Sequence, residues 1–269
     1  MRERNKDVYT EEKTMRISGS GTISSSIYNE EIRVSGSARI EGDVSCTEFH
    51  VSGAVYAGGS VKCSGAARIS GSGDVAAELS CLELESSGSI TAESIDVIEN
   101  LKISGTGRAK KSVRAKQIKV SGKLCAGSVK GETVAISGSL ECGDVDAESF
   151  SCSGPVRISG LLNAGSTDMR LTHGSYTSTV NSVGGTNICA KLEEDGAVNI
   201  FSIFNRRKYG KLIVSECIEG DEIYLENTEC PLVVGKNVII GEGCKIGKVQ
   251  YYGTCEVKDG AKVEETEKI

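Results

Sequence analysis

Apolar and polar residues alternate with a period of two along most of this chain. After Gly36 the apolar residues share one parity, and the residues of the other parity are polar. The apolar residues of this stretch are Ala38, Ile40, Val44 and Cys46. Such alternation places apolar side chains on one face of a β-strand and polar side chains on the other. The pattern therefore predicts strands, and the abundance of glycine also disfavours helices.

A Ser-Gly step recurs at nearly constant intervals and divides the chain into repeats. The glycines of this step are Gly19, Gly36, Gly53, Gly71, Gly88, Gly105, Gly122, Gly138 and Gly154. All eight intervals are 16, 17 or 18 residues long, and a fixed short period indicates a solenoid. Such a repeat divides into three short strands, with corners at glycines such as Gly36 and Gly42 that tolerate positive φ angles. The sequence therefore predicts an all-β fold, a three-sided parallel β-helix (β-solenoid) with coils of about 17 residues.

The register of the repeat changes along the chain, which predicts five segments. The regular step fades after Gly160, and alternation returns at "KLIVSECIEGDEIYLEN". Six-residue steps that end in glycine then follow between positions 234 and 253. The expected segments are a mobile N-terminal tail at 1–14, a regular β-helix of about nine coils at 15–166, an insertion, connector or cap at 167–210, further coils at 211–262, and a C-terminal tail at 263–269.

The composition predicts a thin core in which cysteine acts as a small apolar residue. The chain of 269 residues has no tryptophan, four phenylalanines and eight tyrosines, so Val, Ile, Ala and Cys must fill the interior. None of its 11 cysteines forms a CxxC pair, and Cys46, Cys63 and Cys81 are 17 and 18 residues apart. One interpretation is a metal or redox ladder. The other is a column of buried thiols, which we favour, and we predict no metal and no cofactor.

Charge and hydropathy argue against several kinds of partner. The formal net charge of −6 gives no general reason to expect nucleic acid or a membrane as a partner. No apolar run approaches the length of a membrane span, and the charged N-terminal sequence lacks the apolar centre of a signal peptide. The sequence predicts a cytoplasmic protein with reduced cysteines, with the inner face of the membrane as an alternative location.

Acidic and basic residues are grouped in two neighbouring bands. The stretch 72–101 contains acidic residues and no lysine or arginine, whereas 102–130 contains basic residues and no acid. The candidates for lateral contacts are Asp74, Glu78, Glu83, Glu85, Glu93, Lys110, Lys111, Arg114, Lys116 and Lys119. One hypothesis is salt-sensitive pairing between neighbouring rods, with the basic band against the acidic band. The alternatives are a solvated surface, or contact of the basic band with an anionic lipid surface or an acidic protein.

Two classes of enzyme are weaker alternatives. The six-residue steps fit a hexapeptide-repeat acyltransferase, but those enzymes depend on a catalytic histidine. His50 lies on the polar parity of a repeat strand, and His173 lies outside the six-residue steps. A carbohydrate-cleaving β-helix needs paired carboxylates in a groove, and the carboxylates here form no distinctive cluster. The sequence therefore predicts no catalytic residue and no enzymatic activity.

Short motifs recur through the repeats and near the end of the chain. The steps "ISG", "VSG" and "RIEGDV" resemble those of the bactofilins, a bacterial family of polymer-forming cytoskeletal proteins, and "GDEIYLENT" and "NVIIGEGCKIG" are similar to the ending of longer Gram-positive members. The resemblance implies a right-handed β-helix that assembles end to end into filaments without nucleotide. It also implies a non-enzymatic scaffold for cell shape, the envelope or motility.

The resemblance also implies partners. These are further copies of the chain, a paralogue, and client proteins of the envelope or motility machinery. Two features depart from the family pattern. The solenoid register breaks near residue 167, and "MRERNKDVYT" is not the apolar peptide with which some members bind membrane, so direct membrane binding is not predicted.

The end coils of a parallel β-helix carry backbone groups without a neighbour, and such edges are templates for further pairing. Near "MRISGSGTISSSI", either the charged tail or a second subunit can cover them, and the resemblance favours a second subunit. Phe201, Ile203 and Phe204 lie in the most aromatic stretch and are candidates for an apolar polymer contact. The alternative for these three residues is packing of the insertion against its own rod.

Overall fold

The described residues form β-strands joined by short turns and contain no helix. The computed structural model describes residues 8–11, 13–172, 174, 176–193 and 209–269. The chain divides into two compact units, unit 1 (Met1–Gly131) and unit 2 (Glu132–Ile269). Apart from one antiparallel pair at the N-terminus, the strand pairs within each unit are parallel.

Unit 1 is built from short strands, most of them of four residues. Its strands are β1 (Val8–Glu11), β2 (Thr14–Ile17), β3 (Ser20–Ile23), β4 (Ile27–Tyr28), β5 (Glu31–Val34), β6 (Ser37–Ile40), β7 (Val44–Cys46), β8 (Glu48–Val51), β9 (Ala54–Ala57), β10 (Val61–Cys63), β11 (Ala66–Ile69), β12 (Ser72–Val75), β13 (Glu78–Ser86), β14 (Ser89–Ala92), β15 (Ser94–Ile103), β16 (Thr106–Arg114) and β17 (Gln117–Val120), and β18 (Lys123–Ile136) leads into unit 2.

Three columns of parallel strands make the sides of unit 1. One column runs through β2, β5, β8 and β11, a second through β3, β6, β9 and β12, and a third through β4, β7, β10 and β13. Within a column each residue pairs with its counterpart one repeat later, as Val34 does with Val51. The structure therefore confirms the predicted parallel β-solenoid with coils of about 17 residues.

Inward-facing side chains stack in aliphatic columns that form the core of unit 1. The residue before each Ser-Gly step is buried, and these positions hold Ile17, Val34, Val51, Ile69, Ser86, Ile103 and Val120. Ser86 is the polar member of this column, and its hydroxyl oxygen has no hydrogen-bond partner among the described residues. It pairs with Ile69 on one side and Ile103 on the other. Burial of an unpaired hydroxyl there is unfavourable.

The corner glycines are required for a reason other than the predicted one. None of the Ser-Gly glycines has a positive φ angle, and among the glycines that the structure describes such an angle occurs at Gly174, Gly243 and Gly260. A Cβ atom on Gly53 would instead meet the carbonyl oxygen of Gly36, and a Cβ on Gly88 would meet that of Gly71. The prediction that these glycines provide positive φ angles is therefore wrong. The backbones of successive coils approach so closely at this corner that no side chain fits between them.

Unit 2 is built from longer strands that bend through register shifts. Its strands are β19 (Ser139–Cys152), β20 (Val156–Leu171), β21 (Thr177–Leu192), β22 (Lys211–Leu225), β23 (Thr228–Ile240), β24 (Lys245–Val257) and β25 (Lys262–Lys268). Each pairs in parallel with the next strand along the chain. Every pair except the last contains a β-bulge or irregularity, where the strand turns a corner without ending.

The loss of the 17-residue period after Gly160 has a structural cause. Arg157 pairs with Thr179, a step of 22 residues, and Thr177 pairs with Lys211, a step of 34 residues. The segment 167–210 therefore contains the end of β20 and all of β21, which are strands of the solenoid, whereas 194–208 lies outside the described residues. Extra residues between strands increase the sequence separation of paired residues and leave the parallel pairing intact.

Candidate functional site: coil edges and the charged surface

The N-terminal edge of unit 1 is covered on one side of the coil. β1 pairs antiparallel with β2, from Val8 opposite Ile17 to Glu11 opposite Thr14. This strand lies within the predicted N-terminal tail 1–14, so part of that tail covers one third of the first coil. The antiparallel direction stops further parallel coils from adding at β2.

The other two sides of the first coil are left open by the described residues. β3 pairs with β6 and β4 pairs with β7, and no strand among the described residues pairs with the outer edge of either. The carbonyl groups of Gly19 and Ile23 bond to the second coil. The N–H and C=O of a strand residue point to the same neighbouring strand, and this direction alternates from one residue to the next. The N–H and C=O of Thr22 therefore point away from the second coil. In β4, the N–H of Ile27 donates to the second coil, so the backbone groups of Tyr28 also point outward.

The chemistry of this open edge suits pairing with another chain. β3 has the sequence SGTI and β4 the sequence IY, so neither strand carries a charged side chain. The Tyr28 side chain is 76% exposed. Natural sheets commonly protect their edges with lysine, proline or bulges, and these two strands contain none of these.

The last strand of unit 2 presents a different edge. β25 has the sequence KVEETEK, and it pairs with the Lys245–Tyr251 part of β24. Lys248 lies 2.8 Å from Glu265 and 2.9 Å from Glu267, and these carboxylates raise the pKa of the lysine. Most of the predicted C-terminal tail 263–269 is thus a strand, and its charged side chains disfavour pairing of another strand with its outer edge.

The acidic and basic bands of unit 1 neutralise each other in part within the chain. Glu85 accepts a hydrogen bond of 2.7 Å from Lys102 one coil later, which lowers the pKa of this carboxyl group. Two further pairs join neighbouring coils in the same way: Glu93 with Lys111 at 3.0 Å, and Glu99 with Lys116 at 3.8 Å. All of these groups are largely exposed, so each pair contributes little to stability.

The remaining charge candidates divide into two groups. Glu83 accepts a hydrogen bond of 3.1 Å from Asn100. No ion pair with another described residue is formed by Asp74, Glu78, Lys110, Arg114 or Lys119. Pairing of these charges between coils was not predicted from the sequence, although the 17-residue spacing of Glu85 and Lys102 is a signal that could have revealed it. The charges left for a lateral contact are therefore fewer than the bands suggest.

The apolar contact candidates Phe201, Ile203 and Phe204 lie outside the described residues. Their role in a polymer contact stays a prediction. His173 also lies outside these residues. His50 lies on an outer face of the solenoid, with Nε2 3.5 Å from Glu48 and 3.8 Å from Glu31. This histidine therefore belongs to a surface charge cluster.

The described part of the chain offers no obvious metal centre. It contains no group of three or more His, Cys, Asp or Glu side chains arranged to hold an ion. Cys46, Cys63 and Cys81 are all buried, and Cys46 pairs in register with Cys63. The described residues also include no helix long and apolar enough to cross a membrane.

Comparison with known proteins identifies the N-terminal third of the chain. Residues 7–94 match the family model Bactofilin, described as polymer-forming cytoskeletal. This segment contains the open edge, the first coils and part of the acidic band. Residues 7–94 are thus similar to the bactofilin family, which confirms the resemblance over that part of the chain.

Two curated relatives from Bacillus subtilis (strain 168) match a similar length of chain. The uncharacterized protein YhbF is 44% identical over 110 residues, which are 41% of this chain and 42% of the relative. The uncharacterized protein YhbE is 33% identical over 114 residues, 42% of this chain and 45% of the relative. The chain therefore spans less than half the length of these relatives. No solved structure matches the chain.

Proposed function

We propose that this protein is a non-enzymatic cytoskeletal scaffold that assembles end to end into filaments through the edges of its coils. The uncovered outer edges of β3 and β4 are the observation that carries this proposal. A strand edge with unpaired backbone groups is a template for pairing with a strand of another chain. In a parallel solenoid, the end coil of a second chain provides such strands. Nucleotide is not required, because edge pairing uses backbone hydrogen bonds alone.

The family match supports assembly as the general activity. The matched model describes polymer-forming cytoskeletal proteins, and its match includes the residues of the open edge. The finer roles follow the resemblance: organisation of cell shape, envelope or motility components from the cytoplasm or the inner face of the membrane. Further copies of the chain are the first partners of this proposal, and a paralogue or client proteins come next.

Lateral contacts are a second part of the proposal. Lys110, Arg114 and Lys119 form no ion pair with described residues of their own chain, and neither do Asp74 and Glu78. Their opposite charges support a contact in which the basic side chains of one filament meet the acidic side chains of its neighbour. Because such contacts are exposed, salt should separate the filaments without dissolving them.

The first experiment is negative-stain electron microscopy of the purified full chain without nucleotide or metal. Thr22→Pro removes an N–H that points away from the solenoid, so it should block edge pairing and leave the internal ladder intact. Thr22→Val keeps this N–H and a similar shape, and it is the matched control. We expect filaments from the unsubstituted chain and from Thr22→Val, and short particles from Thr22→Pro.

Circular dichroism must show that the proline variant keeps its β-structure and its unfolding midpoint. If a folded Thr22→Pro chain forms filaments as long as those of the control, assembly does not use the β3 edge. If the unsubstituted chain gives uniform small particles at every salt concentration, the proposal of intrinsic assembly is wrong.

A further inference from the structure

A cavity of about 640 Å³ lies on the outer side of the third strand column of unit 1. Its lining includes Cys46 of β7, Cys63 of β10 and Cys81 of β13, together with small residues such as Ser45 and Ser80. These three cysteines are 7%, 5% and 3% exposed. The groove therefore borders cysteines whose side chains belong to the core.

Two of the three cysteines are placed to react with each other. Cys46 and Cys63 are direct partners in the parallel pair of β7 and β10. Neighbouring strands lie about 4.8 Å apart, which falls within the Cα separation of disulfides. Cys46 and Cys63 are both inward-facing residues of their strands. Their side chains therefore lie beside each other on the same face of the sheet.

The surroundings give the two thiols different acidities. The neighbouring Cys46 side chain lowers the pKa of the Cys63 thiol, and backbone N–H groups of Gly65 and Phe49 assist. The neighbouring Cys63 side chain and burial raise the pKa of the Cys46 thiol. In its neutral state Cys63 donates a hydrogen bond of 2.8 Å to the carbonyl oxygen of Thr47. We assign the role of nucleophile to Cys63 because its pKa is the lowered one of the pair and the thiolate is the reactive form.

We propose that Cys46 and Cys63 form an intramolecular disulfide when the folded chain meets a low-molecular-weight disulfide. The thiolate of Cys63 attacks one sulfur of the small disulfide, breaks its S–S bond and releases one small thiolate. Cys46 then loses its proton and attacks the Cys63 sulfur, which releases the second small thiolate. Two protein thiols are oxidised, and the small disulfide is reduced to two thiols.

Cys81 is the less suitable partner for Cys63. The pairing of β10 with β13 extends over Val61 and Lys62 and ends before Cys63. Burial also raises the pKa of Cys81 to about 12, so little thiolate forms there. We therefore expect one link, Cys46–Cys63, rather than a bond between any two cysteines of the column.

This disulfide would tie one coil of the solenoid to the next. Because it closes a short loop, it restrains the unfolded chain and should raise the unfolding temperature of unit 1. The inference does not depend on the proposed filaments, since both cysteines belong to one chain.

The test is oxidation of the folded full chain with oxidised glutathione, followed by alkylation and peptide mapping by mass spectrometry. We expect a Cys46–Cys63 peptide, loss of two of the eleven thiols, and a raised unfolding midpoint that dithiothreitol reverses. Cys46→Ser should leave Cys63 as a mixed disulfide with glutathione, and Cys63→Ser should leave Cys46 as a free thiol. Cys142→Ser, at a buried cysteine of unit 2, is the control and should still form the link.

Peptide mapping of the oxidised, unsubstituted chain tests the proposed disulfide even if a variant fails to fold. Reaction confined to the half-exposed cysteines Cys125, Cys189, Cys217 and Cys255, or a Cys63–Cys81 link, would overturn the proposal. Glutathione retained on Cys63 of the unsubstituted chain, without closure to Cys46, would overturn it as well.

Discussion

At the scale of single residues, the repeat depends on positions where only one kind of side chain fits. The Ser-Gly glycines stack so that each carbonyl oxygen occupies the place of the next glycine's Cβ atom. The recurrence of these glycines could be predicted from the sequence. The reason could not, because distances between coils are set by the hydrogen-bond ladder rather than by the local backbone angles.

Gly88→Ala tests this close approach. The new methyl group would meet the carbonyl oxygen of Gly71, so the coils must separate locally. We expect the free energy of unfolding to fall by about 2 kcal/mol or more, measured by urea denaturation. Gly21→Ala is the control, since no atom lies within 4 Å of its Cβ position, and it should change stability by less than about 0.5 kcal/mol. Equal effects at both positions would contradict the explanation.

Ser86→Val tests the polar break in the aliphatic column. The substitution removes a buried hydroxyl that has no partner among the described residues and adds apolar volume between Ile69 and Ile103. Valine already occupies the equivalent position in other coils, at Val34, Val51 and Val120. We expect the free energy of unfolding to rise by about 1 kcal/mol.

The matched control for Ser86→Val is Ser87→Val, the same change at an exposed neighbour. Its effect on the urea midpoint should be close to zero. A lower urea midpoint for Ser86→Val would contradict this expectation. It would mean that the aliphatic column has no room for the larger valine side chain at this coil, and that the small size of serine is what the position requires.

At the scale of elements, the strands with a constant period or a clear alternation were predictable, whereas β1 and β21 were not. In unit 1 the alternation identifies inward residues such as Ala38 and Ile40, which are buried. Between Leu171 and Lys211 extra residues change the step from one coil to the next, and β21 pairs in parallel on both sides although no period marks it. β1 was missed because a charged sequence can pair by its backbone alone.

Glu229 of β23 is the centre of a charge ladder that crosses three strands of unit 2. Its carboxylate lies 2.5 Å from Lys211 of β22 and 2.8 Å from Lys245 of β24. Hydrogen bonds from these two lysines lower the pKa of the carboxyl group. A group whose pKa is lower in the folded state adds stability above its unfolded pKa of about 4.3 and loses it as the pH falls.

The unfolding temperature of the chain should therefore decrease as the pH falls through this range. Glu229→Gln should reduce the unfolding temperature at pH 7 and make its decrease in acid shallower. Glu256→Gln, at an exposed glutamate without an ion pair among the described residues, should leave the pH profile of the full chain unchanged. The measurement is thermal denaturation by circular dichroism between pH 3 and 7, and identical profiles for the two variants would contradict the role of the ladder.

At the scale of the whole molecule, function depends on surfaces that one chain leaves unsatisfied. Open edges were predictable from the fold class alone, because every β-solenoid has end coils. Which side of the first coil is covered was not predictable, and neither was the internal pairing of the two charge bands. The first depends on the antiparallel pairing of β1 with β2, and the second on contacts between residues about one coil apart. The alternation pattern contains neither.

The lateral contact gives a prediction that separates free charges from paired ones. Replacement of Lys110, Arg114 and Lys119 by glutamine should abolish bundles of filaments at low salt and leave single filaments intact. Replacement of Lys102, Lys111 and Lys116 by glutamine removes the same net charge, but these lysines are already paired with Glu85, Glu93 and Glu99. This second variant should still form bundles, because the cations that meet a neighbouring filament are unchanged.

Negative-stain microscopy at low and high salt would measure the bundled fraction of both variants and of the unsubstituted chain. Exposed charges more than about 10 Å apart are screened at 0.1 M salt, so bundles of the unsubstituted chain should separate as salt rises. Bundles that persist at high salt, or an equal loss of bundling in the two variants, would show that the filaments adhere through another surface. The apolar stretch that contains Phe201, Ile203 and Phe204 would then be the next to test, because contacts between apolar side chains are not weakened by salt.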